Sequence, residues 1–117
     1  MPNRVAYLGP RGTYTEIAAI KYAPSSELIP VPTVAAVAAS VDNGMAEEGV
    51  VAIENSLEGS VTDTLDLLIH DSSLFIRQEM VLPINHHLLV QSGTIASNVN
   101  IILSHPQALG QCRRFLE

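Results

Sequence analysis

A chain of 117 residues is long enough for one domain of ordinary size and too short for two independent ones. With 47% hydrophobic and 15% charged side chains it has the apolar content to bury a core, which excludes disorder over most of its length. Six Lys and Arg against twelve Asp and Glu leave a net charge of −6, so the chain lacks the positive field that nucleic acid or an anionic membrane surface requires.

Short β-type runs alternate with amphipathic segments, the pattern of an α/β fold. Arg4 to Leu8 reads as a strand that runs into the turn Gly9-Pro10-Arg11-Gly12. Beyond it Tyr14, Ile17, Ala18 and Tyr22 fall at helical spacing, and Thr13 with Glu16 three residues on has the spacing of a capping box. Leu28 to Val31 is a second strand, which Pro30 marks as an edge or irregular one. A helix follows from about Thr33, with Val34, Val37, Ala38 and Val41 as its apolar stripe and Asn43-Gly44 as its stop. Val50 to Ile53 is continuously apolar and reads as a central strand buried on both faces. It feeds the loop Glu54 to Gly59, after which Ser60 is placed to cap a helix carrying Val61, Leu65, Leu68 and Ile69, closed by His70-Asp71.

The rhythm then changes. Leu74 to Val81 and Ile84 to Val90 read as two strands separated by Pro83, with no helical pattern between them. Gln91 to Asn98 is a polar loop or short irregular helix, and Asn100 to Leu103 a further short strand. From Ser104-His105-Pro106-Gln107 a last helix places Ala108, Leu109, Cys112, Phe115 and Leu116 on one side and reaches Glu117 without a stop signal, so the chain reads as a fragment of a longer protein.

Ligands of open α/β sheets bind where strands end and helix N-termini begin. Three loops fit that description: Gly9 to Thr13, Glu54 to Ser60, and Ser104 to Gln107. Together they offer hydroxyls and amides with one carboxylate, Glu54, and one nearby cation, Arg11, a set suited to a small polar anion such as a carboxylate. Each also has a purely structural reading: backbone geometry for Gly9 and Gly12, helix capping for Thr13 with Glu16 and for Ser104 with Gln107, and turn formation for Asn55 and Ser56.

Other chemistries fit less well. The first loop has neither the Lys of a phosphate-binding P-loop nor the third glycine of a dinucleotide fingerprint. His86 and His87 are neighbours on an expected strand and would point to opposite faces, which is wrong for joint metal ligation. Cys112 falls on an apolar helical face and reads as core; as a lone cysteine it forms no internal disulfide. Apolar runs are broken well short of the roughly 18 residues that span a bilayer, and the N-terminus has no signal-peptide pattern, so a cytoplasmic protein is expected.

In their order and spacing the blocks Gly9-Pro10-Arg11-Gly12-Thr13-Tyr14-Thr15, Ile53 to Val61, and Ser104 to Cys112 resemble the N-terminal part of the catalytic domain of the prephenate dehydratase family, with Asn85 to Leu88 as a weaker fourth. The resemblance covers essentially the whole chain. It implies an α/β fold like that of type II periplasmic binding proteins, with residues 1 to about 76 forming the first lobe and about 77 to 117 beginning the second, around a cleft. The reaction implied converts prephenate to phenylpyruvate with loss of carbon dioxide and water, in phenylalanine biosynthesis, without metal or organic cofactor. Arogenate dehydratases share the same motifs, and a non-catalytic carboxylate-binding module of this fold is a different class of reading.

Carried over block by block, Glu54, Asn55 and Gln107 are the implied catalytic residues. Gly12, Thr13, Asn55, Ser56, Ser104, His105 and Gln107 are the implied substrate contacts. The partners implied are the small-molecule substrate and further copies of the chain in a homo-oligomer, with neither nucleic acid nor membrane. The family's essential threonine sits in a Thr-Arg-Phe motif, which does not occur in this sequence, and the regulatory ACT domain is also absent. The expectation is an N-terminal fragment that is inactive alone.

Overall fold

A computed structural model describes residues 2–55, 59–71 and 73–117. Strand β1 (Arg4–Leu8) is the centre of the sheet, with Val5, Ala6 and Tyr7 wholly buried. It is flanked on both sides by parallel neighbours, β2 (Glu27–Val31) and β3 (Glu48–Val50), in the order β2-β1-β3. The register runs from Arg4 opposite Glu27 to Leu8 opposite Val31, and from Val5 opposite Glu48 to Tyr7 opposite Val50. Helix α1 (Tyr14–Tyr22) makes the first crossover and α2 (Val34–Asp42) the second. Because these crossovers lead to opposite sides of β1, right-handed connections place the helices on opposite faces of the sheet. The side chains agree: the Tyr7 hydroxyl reaches Glu16 of α1, whereas Ala6 packs with Val37 of α2.

Local signals explain both helices. Thr13 caps α1 by accepting the Glu16 N–H at 3.2 Å, and Thr33 caps α2 by accepting that of Ala36 at 2.9 Å. The expected stripe of α2 is buried at Val34, Val37 and Ala38, and its last carbonyls are met by the N–H groups of Asn43 and Gly44. Gly49 lets α2 approach β3, since a Cβ there would stand 2.6 Å from Val37 Cγ1. Ala6, Val31, Val37 and Ala46 form the core cluster, with Leu8, Ile29, Ala36 and Val51 packed against it. Pro30, which has no N–H to donate, lies in the outer strand β2 as expected.

The expected central strand over Val50 to Ile53 is corrected. The ladder covers Glu48–Val50 and is an outer strand, because β1 already occupies the centre. After Val50 the chain leaves the sheet and pairs with itself. Strand β4 (Glu54–Asn55) runs antiparallel to β5 (Gly59–Ser60), and the Val61 N–H donates to the Ile53 carbonyl at 2.9 Å. Ser60 therefore belongs to a strand. Val61 is the N-cap of α3 (Thr62–Asp66), without a side-chain bond, and α3 continues as one π-helical turn over Leu67–Asp71.

The strands expected over Leu74 to Val81, Ile84 to Val90 and Asn100 to Leu103 do not form. An apolar extended run becomes a strand only beside a ladder partner, and among the described residues none lies alongside. Phe75, Val81, Leu89 and Leu103 are left highly exposed. The polar stretch, expected as a loop or short irregular helix, is a loop that ends in a short 3-10 turn at Ala96–Asn98. The final helix is two pieces, α4 (Pro106–Gln111) and α5 (Arg113–Leu116), interrupted at Cys112, two residues after Gly110, the poorest helix former of the segment beyond Pro106 at its first position. Among the described residues no helix is long and apolar enough to cross a membrane.

Candidate active site

The Gly9 to Thr13 loop leaves the carboxyl end of β1 through a cis Gly9–Pro10 bond and enters α1. Its polar groups are largely committed to the fold. Glu16 does not reach back to its own cap residue, as a full capping box would; its carboxylate accepts the Gly12 N–H and the Tyr7 hydroxyl, each at 2.9 Å. Thr13 Oγ1 accepts from Glu16 N–H and donates to the Leu8 carbonyl at 3.4 Å. The Gly12 N–H, Glu16's largest stabilising contact, together with the Tyr7 hydroxyl and the nearby Arg11, holds the Glu16 carboxyl below its ordinary range. Burial, reinforced by the Glu16 carboxylate, pushes the Tyr7 phenol upward.

Glu54 lies in β4 and is exposed, while Ser104 and His105 immediately precede α4. Glu54 and Ser104, fifty positions apart, line one cleft of about 1820 Å³ together with Asn85, His86, His87 and Gln111. Arg114 is the one Lys or Arg among the described lining residues, which also include the carboxylates of Glu54 and Glu79 and many apolar side chains with Cys112. Gly12, Thr13 and His105 are not among that lining. Ser56 lies outside the described residues, as do the side chains of Asn55 and Gln107, although the Asn55 backbone pairs with Gly59.

Side-chain contacts also tie the segments after β3 to their surroundings. Thr64, wholly buried, donates its hydroxyl to the Ala52 carbonyl at 2.6 Å, fixing α3 against the segment that carries Glu54. Arg77 Nε stands 3.1 Å from Glu48 Oε2, and the Tyr22 hydroxyl donates to Glu48 Oε1 at 2.8 Å, a bond that with burial raises the Tyr22 phenol. Tyr14 and Gln111 both reach the His86 segment. None of these ties has a signal in the sequence: Tyr14 reads as one residue of an apolar stripe, and no spacing rule joins positions 14, 86 and 111. Among the described residues no three His, Cys, Asp or Glu side chains converge as a metal ion would need.

The family model described as "Prephenate dehydratase" matches residues 5–117. The chain belongs to the prephenate dehydratase family. It is 44% identical over 118 residues to the bifunctional chorismate mutase/prephenate dehydratase of Pseudomonas aeruginosa, a match covering 99% of this chain and 32% of that protein. It is 39% identical to the prephenate dehydratase of Lactococcus lactis, over 97% of this chain and 40% of the relative. A protein of Arabidopsis thaliana named arogenate dehydratase/prephenate dehydratase 1, chloroplastic, is also 39% identical, with 93% and 28% covered. The X-ray structure of prephenate dehydratase from Streptococcus mutans superposes with a TM-score of 0.59 at 34% identity, over 60% of this chain and 37% of that one. The α/β fold with its parallel sheet is thus that of a prephenate dehydratase structure, and the chain spans about a third of the length of the relatives it matches.

Proposed function

We propose that this chain is the N-terminal portion of a prephenate dehydratase catalytic unit and supplies one part of its substrate cleft. The observation that carries the reading is the convergence of Glu54 and Ser104 on one cleft in a chain whose residues 5–117 match the family. In the reaction the ring hydroxyl leaves as water, taking a proton from a donor. The bond to the ring carboxylate breaks, carbon dioxide departs, and the electron pair of that bond completes the aromatic ring. Such a site needs hydrogen-bond donors for two carboxylates without over-stabilising the one that must leave, which neutral amides and hydroxyls do better than a cluster of cations.

Under this reading Glu54, Asn55 and Gln107 stand at the reacting groups. Gly12, Thr13, Ser56, Ser104 and His105 complete the walls, with Gly12 and Thr13 acting through whatever donors Glu16 leaves free. Residues 1 to about 76 belong to a first lobe and about 77 to 117 to the beginning of a second, in the manner of type II periplasmic binding proteins. The same reading makes the enzyme a cytoplasmic homo-oligomer, and the lone Cys112 asks for no oxidising compartment.

The test is prephenate turnover, followed as phenylpyruvate, on this chain and on the chain extended along its native reading frame. Turnover in the extended form alone is expected, because the Thr-Arg-Phe donor is not among these 117 residues. Turnover by the short chain would overturn the assignment of that donor, and silence of both would overturn the prephenate reading. A second reading, arogenate as substrate, is favoured by the relative whose name carries both activities, and the same assay with arogenate separates the two.

A further inference from the structure

We propose that His86 is a positioning residue that holds the Gly9–Thr13 loop and the Ser104–Gln107 loop in fixed relation across the cleft. The inference rests on the reading above that these loops wall one site. Tyr14 is the first residue of α1, directly after Thr13, so its ring moves with the first loop. Its hydroxyl donates to the carbonyl of Asn85, and its ring meets that of His86 edge to face, with centroids 5.7 Å apart and planes at 89°. On the other side His86 Nε2 meets Gln111 Oε1, and Gln111 is the last residue of α4, whose first turn contains Gln107.

The chemistry of the bridge is specific. An amide oxygen only accepts, so a His86 ring facing Gln111 Oε1 carries its proton on Nε2. The edge-to-face contact fixes the plane of the ring, because the positive edge of one aromatic ring is attracted to the negative face of the other. Together the two contacts set where the imidazole lies and which way its donor points. Positions 14, 86 and 111 belong to three separate stretches of chain, and among the described residues no strand pairing joins residues 84–90 to the three-stranded sheet. Side chains therefore carry this connection, and the ring of His86 is its middle member. Because Asn85, His86 and Gln111 also line the cleft beside Glu54 and Ser104, a shift of the ring displaces the walls that would hold a substrate.

The experiment uses the 117-residue chain labelled with 15N, as wild type, His86→Leu, His86→Gln, Tyr14→Phe and Gln111→Leu. Without ligand, long-range histidine spectra should show the His86 proton on Nε2, with a shift that Gln111→Leu moves. His86→Leu should move amide resonances at both Gly9–Thr13 and residues 104–111 while leaving α2 unchanged, and Tyr14→Phe should be felt at residues 104–111. His86→Gln, whose terminal amide can donate where Nε2 did, should return residues 104–111 towards wild type; a merely space-filling role would give no such rescue. The proposal is overturned if His86→Leu perturbs only its immediate chain neighbours, if Gln rescues no better than Leu, or if the Nε2 shift ignores Gln111→Leu. If α2 resonances show that His86→Leu has unfolded, Tyr14→Phe and Gln111→Leu decide between the same outcomes.

Prephenate is then titrated into each protein. Both loops should report one midpoint in wild type, weakened about tenfold in His86→Leu, the loss expected for one net hydrogen bond of ordinary strength. Equal affinity in the two proteins overturns the positioning role at the site. A wild-type chain that binds no prephenate while showing the ligand-free coupling overturns substrate binding by this part of the cleft alone and leaves the bridge standing, the prephenate reading itself being decided by the extended chain; loss of the coupling with binding intact overturns the bridge.

Discussion

Replacing Gly49 with alanine tests the packing of α2 on the sheet and has a magnitude that can be worked from the coordinates. The added Cβ would stand 2.6 Å from Val37 Cγ1 and 3.4 Å from Val41 Cγ2. The first distance is roughly 1 Å inside ordinary carbon contact. Val37 is 3% exposed, and a β-branched side chain has little rotamer freedom with which to yield, so α2 itself must move away from β3. Overpacking of this kind costs about 1–3 kcal/mol, while the stiffer unfolded chain of alanine returns about 0.4–1 kcal/mol. The net expectation is a loss of about 1–2 kcal/mol, or a fall in Tm of roughly 4–8 °C for each kcal/mol in a folded unit of this size. Urea denaturation followed by far-UV circular dichroism measures it, and the same substitution in a Val37→Ala background isolates the cause. With Cγ1 gone, Gly49→Ala should be neutral or slightly stabilising there. A cost that is the same in both backgrounds would refute the steric account, and so would a neutral single variant.

Three further outcomes follow from other contacts. Gly44 has φ of 79° with nothing within 4 Å of where a Cβ would stand, so Gly44→Ala should lose about 1–2 kcal/mol from backbone conformation alone, read as a lower urea midpoint at unchanged slope. Thr64→Val keeps shape but strands the Ala52 carbonyl; it should cost about 1–3 kcal/mol, and Thr64→Ser, which keeps the hydroxyl, should cost less. The Glu16 carboxyl titrates lower in the fold than its ordinary value of 4.5, so the stability it contributes is full above that value and is lost as pH falls through the folded pKa. Wild type should therefore lose stability more steeply than Glu16→Gln below about pH 4.5, and parallel curves would exclude Glu16 as the responsible group.

Residues 4–44 were legible in the sequence because each element there carries its own mark within a few positions: threonine caps at 13 and 33, a proline in an outer strand, and a valine stripe ended by Asn43-Gly44. What could not be read was which strand lies in the middle. Continuous apolar character at Val50 to Ile53 signals burial, yet strand order is settled by crossovers, and these put the less uniformly apolar β1 at the centre. Beyond Leu74 the apolar pattern states only that a segment is fit to pair, and pairing is a property of two segments. Glu54 and Ser104, which line the cleft, stand in blocks that the sequence singles out by motif, while the contacts of Glu16 and His86 carry no such mark, both for the same physical reason. A carboxylate turned on Gly12 and Tyr7, or an imidazole set between Tyr14 and Gln111, is recognisable only after the fold has brought the partners together.

The central position of β1 has a kinetic side. The strand made first is the one on which both others are laid, and the core cluster of Ala6, Val31, Val37 and Ala46 is complete by residue 46. A nascent chain thus gains a closed βαβαβ unit as soon as Val50 has left the ribosome, before the cleft-lining residues from Ile53 onward have emerged. Amide hydrogens in β1 and α2 should then exchange only through opening of this whole unit, whereas those of residues 73–95, held by side-chain ties and not by ladders, should exchange through small local openings. Such a pattern would make the three-stranded unit one cooperative opening and residues 73–95 a set of separate small ones.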